Sequence, residues 1–283
     1  MNFKEYISEA WSSHRTNPKK VADEFKQNFN LMETEEDVMS MTRLIVHVCG
    51  DHLGDWLRGI ELLRKIKNNA TISDSSEMNR YMAILNLGNN PNTAIENFSP
   101  SDQARIYAST ASALVTLGGL KNAEKFLKLA EEISSHLLKD DPANQAVAIA
   151  ANNIACALYD KTECSSSEIE LMIFASTTAR KYWEIAGTWK EIERAEYRLA
   201  NTYLKAESFD KALIHARACL DIVSENKSEP IELFFAYEVL ALVEKARNNM
   251  TVFQNALEQM KVVYSGFSTE EQDNFKNTFK KFD

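Results

Sequence analysis

Residues 193–222 constrain the fold of this chain more than any other stretch. Their first half carries Ala195, Leu199 and Tyr203 at helical spacing, so one side of a helix is apolar. Residues 207–210 interrupt this pattern with Glu-Ser-Phe-Asp, and a second apolar stripe follows up to residue 222. Serine and aspartate side chains bond nearby backbone, which favours turns and caps over helix interiors. The stretch therefore predicts two antiparallel helices joined by a tight turn.

Two alanines indicate how closely these helices pack. Ala200 and Ala212 lie twelve residues apart, one on each side of the predicted turn. Small residues at both positions let the two backbones approach closely, and Phe209 then closes the end of the hairpin. A hairpin of this size cannot bury its apolar face alone, so it must stack on further hairpins. We therefore expect an array.

The hairpin resembles the tetratricopeptide (TPR) repeat in its order of small and aromatic residues, namely Leu199, Ala200, Tyr203, Phe209, Ala212, Ala216 and Cys219. The resemblance implies an all-α fold, a right-handed α-α superhelix (a TPR-like solenoid) of antiparallel helical hairpins. Weaker or longer copies of the pattern begin near residues 42, 78, 105, 142 and 234. In the copy at 78–98, Pro91 and Pro100 predict a short second helix.

The whole chain, residues 1–283, is expected to form one TPR-like superhelical domain. Residues 1–35 would be N-terminal capping helices, 36–266 about six hairpin repeats, and 267–283 a C-terminal capping helix that begins at Ser268. Only 8 Gly and 5 Pro occur, which favours long helices over an all-β fold. We expect roughly 13 to 14 helices.

The composition excludes several classes of partner. The net charge of −9 and the pI near 5.2 argue against general binding to nucleic acids or anionic membranes. No apolar run approaches the roughly 20 residues needed to span a bilayer, and the N-terminus has no signal-peptide core. The four cysteines show no paired spacing, so we expect reduced thiols in a soluble cytoplasmic protein.

Catalytic and metal-binding motifs are largely missing from the sequence. It contains no HExxH, no Gly-rich phosphate loop and no GxSxG, so we expect no enzyme and no cofactor. In the segment HVCGDH, His47 and Asp51 share a helix face and could bind a metal as a pair. Packing in the repeat is the alternative, and we favour it, so no metal site is predicted. His14, His136 and His215 have no recognisable partner.

One polar stripe stands out against this background. In the TPR family the concave groove is lined by one side of the first helix of each repeat. The matching side of the opening hairpin carries Arg194, Tyr197, Arg198, Asn201 and Lys205. The preceding repeat would add Asn152 and Asn153, with Tyr159 as a further candidate, and the following one Glu238 and Lys245. Two guanidinium groups in one groove would attract an acidic residue. An ordinary solvated helix face is the alternative.

The leading hypothesis is a non-enzymatic scaffold that binds a protein or peptide segment through the concave groove. The segment would be acidic or carry a free C-terminal carboxylate, which some TPR domains clamp with Asn and Lys or Arg. Ala108 and Ser112 stand where that clamp has further polar residues, so the full clamp is absent. One alternative is a peptide-sensing regulator, although residues 1–35 lack a basic recognition helix for DNA. The other is an enzyme with an unrecognised site.

Overall fold

A computed structural model describes residues 2–69, 75–226 and 229–282. These residues form fourteen α-helices and no β-strand, which confirms the expected all-α fold. The chain divides into two compact units, Met1–Ile154 and Ala155–Asp283. That residues 1–283 form one domain stays a prediction. None of the helices in the described residues is both long enough and apolar enough to cross a membrane.

The first unit begins with two short helices and continues with hairpins. Its helices are α1 (Phe3–Ser13), α2 (Pro18–Glu24), α3 (Glu35–Val46), α4 (Trp56–Asn69), α5 (Ser76–Asn89), α6 (Pro100–Thr116) and α7 (Leu120–Ser134). A 3₁₀ segment, Phe25–Leu31, follows α2, and one wide turn of π-helix, His47–His52, follows α3. Helix α8 (Pro142–Tyr159) contains the boundary between the two units.

The second unit consists of consecutive helices that pack on their neighbours. Its helices are α9 (Ser166–Ala186), α10 (Trp189–Lys205), α11 (Phe209–Glu225), α12 (Pro230–Ala246), α13 (Met250–Ser265) and α14 (Thr269–Phe275), followed by a 3₁₀ segment, Lys276–Phe282. Helices α10 and α11 form the hairpin predicted from residues 193–222, and α12 and α13 form the next one. The predicted start of the last helix is also confirmed, because Ser268 and Glu271 cap each other's backbone.

The hairpins end their first helices with the same backbone turn. Gly118, Glu207 and Asn248 each have a positive φ, of 80°, 55° and 60°. In each turn the next residue donates its N–H to a carbonyl five positions back, as Ser208 does to Tyr203 at 2.8 Å. This is the Schellman cap, which satisfies carbonyl groups at a helix end and reverses the chain in two residues. A tight reversal is what allows two helices of one repeat to pack along their lengths.

Small side chains fill the core between these helices. Ala200 and Ala212 are fully buried in one cluster with Ala216, Cys219 and Ala241, where α10 to α13 meet. Phe209, by contrast, is only half-buried at the turn. Interiors are packed to crystal-like density, so an alanine at a helix contact leaves no room for a larger residue. The close approach of the two helices that the sequence predicted therefore depends on Ala200 and Ala212.

The structure corrects two predictions about local structure. Residues 91–98, expected to contain a short helix, are not helical. The Asn90 side chain accepts a hydrogen bond from the N–H of Asn92 at 3.1 Å, and Pro91 removes a backbone donor, so a turn replaces the helix. The second correction concerns residues 47–52, where the regular helix widens into a π turn and Leu53 donates its N–H to the carbonyl of Val48.

Enlarging one of the buried alanines should disturb the hairpin. We expect Ala212→Leu to lower the free energy of unfolding by about 1–3 kcal/mol, because the added atoms have no space between α10 and α11. Chemical denaturation followed by circular dichroism measures this value. Asp221→Leu adds a leucine at an exposed position of the same helix and should change it by less than about 0.5 kcal/mol. Equal effects of the two substitutions would show that Ala212 is not at a close contact.

Candidate functional site

The predicted site residues lie on two helices of different units. Asn152 is half-buried and Asn153 exposed on the part of α8 that belongs to the first unit. Arg194, Tyr197, Arg198, Asn201 and Lys205 all lie on α10 in the second unit. That the two groups share one concave surface stays a prediction. The described contacts of the α10 residues define a smaller site within the second unit.

The centre of this site is the ring of Tyr159, at the end of α8. Its hydroxyl donates a hydrogen bond to Oδ1 of Asn201 at 3.1 Å. The amide nitrogen of Asn201 in turn donates to the backbone carbonyl of Tyr197 at 3.0 Å. Asn201 is only 2% exposed, and its amide holds Tyr159 in place. The sequence had suggested instead that Asn201 faces a partner. Burial is also the main reason why the pKa of Tyr159 is raised.

Two cations of α10 lie against the Tyr159 ring. The guanidinium of Arg198 is 5.2 Å from the ring centroid and the ammonium of Lys205 is 5.3 Å from it. Both distances are within the range of cation–π attraction. Lys205 also donates to the carbonyl oxygens of Tyr159, at 2.5 Å, and Lys161. Lys205 is thereby fixed in a helix-capping role, whereas Arg198 lies over the ring.

Arg194 stands apart from this cluster. Its side chain is 67% exposed, and its Nη2 atom lies 3.5 Å from Oε1 of Glu232 on α12. The carboxylate of Glu232 is buried next to this guanidinium, so it partly neutralises the positive charge of Arg194. The two guanidinium groups predicted to act together therefore differ in their surroundings. Arg194 is paired with a carboxylate within the chain, and Arg198 lies over an aromatic ring.

A second tyrosine connects α10 to α12. The hydroxyl of Tyr197 donates to Oε2 of Glu238 at 2.6 Å, and Lys281 donates to Oε1 of the same carboxylate at 2.6 Å. Glu238 has no solvent exposure, and an acceptor buried so deeply needs such partners. Burial, and then the charge of Glu238, raise the pKa of the Tyr197 hydroxyl well above its usual range. Tyr197 therefore remains a neutral donor.

The C-terminal segment covers the face of α12 that was expected to line the groove. The rings of Phe275 and Phe279 pack on Phe234, with centroids 5.9 and 6.0 Å from it. Lys245 donates to the carbonyl oxygen of Phe282 at 2.7 Å. Glu238 and Lys245 are thus engaged by the chain's own residues 276–282 and do not line an open groove. The aromatic spacing of this segment predicted a cap, but it did not indicate which face the cap would cover.

Helix α10 also carries two buried carboxylates that contact α9 and α11. Glu196 accepts hydrogen bonds at 2.6 Å from Nε of Arg180 and from Nδ1 of His215. Burial opposes its ionisation, but these two bonds outweigh that effect and lower its pKa. Burial raises the pKa of Glu193, to which the thiol of Cys219 donates at 3.0 Å. Burial also keeps the pKa of Cys219 well above its usual value, so the thiol stays in its unreactive form.

The histidines of the first unit show a contact that the sequence did not reveal. His14, which follows α1 and for which no partner was recognisable in the sequence, lies beside His47 and His52 of the π turn. Burial, and then the nearby His47 and His14, lower the pKa of His52. Cys49 of the same segment is buried elsewhere, and burial raises the pKa of its thiol to about 12.

The sequence matches no protein-family model and no curated protein. Two solved structures share its fold over most of their length. BtubC (BKLC) from P. vanneervenii has a TM-score of 0.52 at 16% identity, covering 95% of this chain and 94% of BtubC. The apo form of RapI, a TPR-like repeat protein, has a TM-score of 0.50 at 13% identity, covering 98% and 85%. This chain has a TPR-like helical repeat fold. At such identities the likeness concerns the fold alone.

The contact between Lys281 and Glu238 should hold the C-terminal segment on the TPR-like hairpins. We expect Lys281→Ala to lower the free energy of unfolding by about 1.5–3 kcal/mol, because it leaves a buried carboxylate with one donor fewer. Thermal and chemical denaturation measure the change. In the background of Glu238→Gln, the same substitution should cost much less.

Lys280→Ala is the matched control for this cycle, because Lys280 is the exposed neighbour of Lys281. It should leave stability nearly unchanged. If Lys280→Ala and Lys281→Ala have the same effect, the segment is not held by Glu238.

Proposed function

We propose that this chain is a non-enzymatic scaffold that binds a peptide or a protein segment on the face of α10 around Tyr159 and Arg198. The bound segment is acidic at the point of contact, or it ends there with a free C-terminal carboxylate. Arg198 receives the carboxylate, and Lys205 adds positive charge beside it. Asn201 and Tyr197 position the Tyr159 ring under the guanidinium and do not themselves contact the partner.

The observation that carries this proposal is the contrast between Arg198 and the other arginines of the second unit. Each of the others lies within 4.0 Å of a carboxylate oxygen, namely Arg180, Arg194, Arg217 and Arg247. No carboxylate among the described residues lies within that distance of Arg198. A guanidinium has a planar fork of donors that fits a carboxylate in two places. Arg198 is thus the arginine of this unit whose charge no carboxylate of the described residues neutralises, and we take its fork to be the one that receives a partner's carboxylate.

The surroundings of Arg198 favour binding of a carboxylate to its guanidinium over leaving that carboxylate in water. Arg198 is half-buried, so the guanidinium is partly removed from water and its attraction to an anion is less screened than on an open surface. The Tyr159 ring attracts the guanidinium and restricts its position before any ligand arrives. A group that is already restricted loses little conformational entropy on binding, which increases affinity.

The neighbouring helix supplies a precedent for holding a segment in this way. On α12, residues 276–282 are held by buried aromatic contacts and by the bond from Lys281 to Glu238. There the carboxylate of Glu238 on α12 binds the ammonium group of Lys281 in the segment. On α10 the polarity is reversed, because Arg198 and Lys205 would receive an anion of the partner. The same kind of helix face can therefore bind a peptide within the chain and, as proposed, from outside.

A peptide array tests the proposal directly. Paired synthetic peptides would differ only in having a free or an amidated C-terminus, or in having Glu or Gln at one position. The full-length chain should prefer the charged member of a pair. Arg198→Ala should weaken binding of the selected peptides roughly 10- to 150-fold, the equivalent of about 1.5–3 kcal/mol for a hydrogen-bonded ion pair.

The matched control is Arg64→Ala, which removes an exposed arginine from α4 in the other unit. It should leave the affinity for the selected peptides unchanged. Arg198→Lys keeps the charge but loses the fork, so it should restore only part of the affinity. If charged and amidated peptides bind alike, or Arg198→Ala binds like the unaltered chain, this face is not the binding site.

A further inference from the structure

Three histidine rings meet in the first unit. The ring centroids of His14 and His47 are 4.9 Å apart, those of His14 and His52 are 5.0 Å apart, and those of His47 and His52 are 4.7 Å apart. One ring nitrogen of each histidine lies within 4.8 Å of one from each of the others. Among residues 2–69, 75–226 and 229–282, no other three His, Cys, Asp or Glu side chains bring their donor atoms so close.

Two of these rings are oriented by acceptors on their outer side. Nδ1 of His14 lies 2.5 Å from the carbonyl oxygen of Trp11, and Nδ1 of His47 lies 2.6 Å from Oδ2 of Asp51. An acceptor at Nδ1 fixes the proton there, so Nε2 of each ring carries a lone pair that can bind a metal ion. Nε2 of His47 accepts a hydrogen bond from Nε2 of His52. Metal-binding histidines are held in this manner, by a carboxylate or a backbone carbonyl that sets the tautomer and the ring angle.

The π turn explains why His47 and His52 face the same point. In a regular α-helix, residues five apart are rotated by about 140° from each other, because each residue turns by about 100°. The wider turn over His47–His52 brings them round to one side, with their Nε2 atoms 3.1 Å apart. Such π turns cost regular hydrogen bonding and occur frequently at functional sites.

We propose that His14, His47 and His52 form a binding site for one divalent transition-metal ion of the zinc type. Imidazole nitrogens suit Zn²⁺ and its neighbours Ni²⁺ and Cu²⁺, whereas Mg²⁺ and Ca²⁺ prefer oxygen ligands. Tetrahedral Zn²⁺, with bonds of about 2.0–2.1 Å, places two nitrogen ligands about 3.3 Å apart. The 3.1 Å between the Nε2 atoms of His47 and His52 is close to that value. The ligand atom of His14 lies within 4.8 Å of those of His47 and His52, so it would move closer when the ion binds.

Binding of the ion would tie the first helix to the first repeat. His14 is the residue that follows α1, whereas His47 and His52 belong to the turn after α3, so one ion would link segments more than thirty residues apart in sequence. The ring of Trp11 packs beside both His14 and His47, with centroids 5.2 and 5.3 Å away. Three protein ligands leave a fourth position for water or a further ligand. A bound ion would therefore stabilise the folded chain.

Calorimetric titration tests this site on the full-length chain. The protein would be freed of metal with a chelator and titrated with ZnCl₂ in a buffer that contains excess Mg²⁺. We expect one Zn²⁺ per chain and a rise in melting temperature. His52→Ala should weaken Zn²⁺ binding at least 10-fold. Asp51→Asn, which keeps all three ligands but removes the charge behind His47, should weaken it 10- to 100-fold.

The matched control is His136→Ala, because His136 is an exposed histidine of the same unit outside the cluster. It should bind Zn²⁺ like the unaltered chain. Substitution with Co²⁺ provides a second readout, since a nitrogen-ligated tetrahedral Co²⁺ absorbs visible light. That absorption should be absent in His52→Ala, whose circular dichroism should match that of the unaltered chain. The absence of Zn²⁺ binding to the unaltered chain, or equal affinities of His52→Ala and His136→Ala, would overturn the proposal.

Discussion

Close packing of helices over alanine is the constraint on which the rest of this structure depends. Ala200 and Ala212 have no exposed surface, and they allow α10 and α11 to approach until their backbones set the contact. A hairpin packed in this way leaves its remaining apolar surface to the next hairpin, so the apolar sides of α10 to α13 merge into one core. The polar side of each first helix is the side that stacking leaves unburied. The site around Tyr159 and Arg198 lies on that side.

Most polar groups on this side are already occupied within the chain. Glu238 receives Tyr197 and Lys281, and Asn201 is bonded to Tyr159 and Tyr197. Buried polar groups that lack partners cost free energy, so an array with so many of them must satisfy them internally. Arg198 differs in that its charge rests against a ring, which attracts the cation without using its hydrogen-bond donors. Among the described arginines of the second unit, Arg198 is the one that no carboxylate of the chain neutralises.

The sequence predicted the features that depend on local pattern and missed those that depend on distant contacts. The α10–α11 hairpin, its buried alanines and the cap at Ser268 follow from spacing within about thirty residues, and the structure has them. The polar stripe of α10 was identified, but the internal role of Asn201 was not, because its partner Tyr159 is 42 residues away. The histidine cluster was missed for two reasons. His14 is distant in sequence, and a regular helix was assumed where His47–His52 form a π turn.

We propose that the Arg198 guanidinium is free to receive a carboxylate, whereas each of the other arginines of the second unit lies beside a carboxylate of the chain. Nitrogen-15 NMR of the arginine side chains during an acetate titration measures this most directly, with the Arg198 signal assigned by its loss in Arg198→Lys. We predict a saturable shift of the Arg198 Nε–H signal and no shift for Arg180, whose Nε already donates to Glu196. An Arg198 signal that does not move, or that moves no more than that of Arg180, would contradict the account.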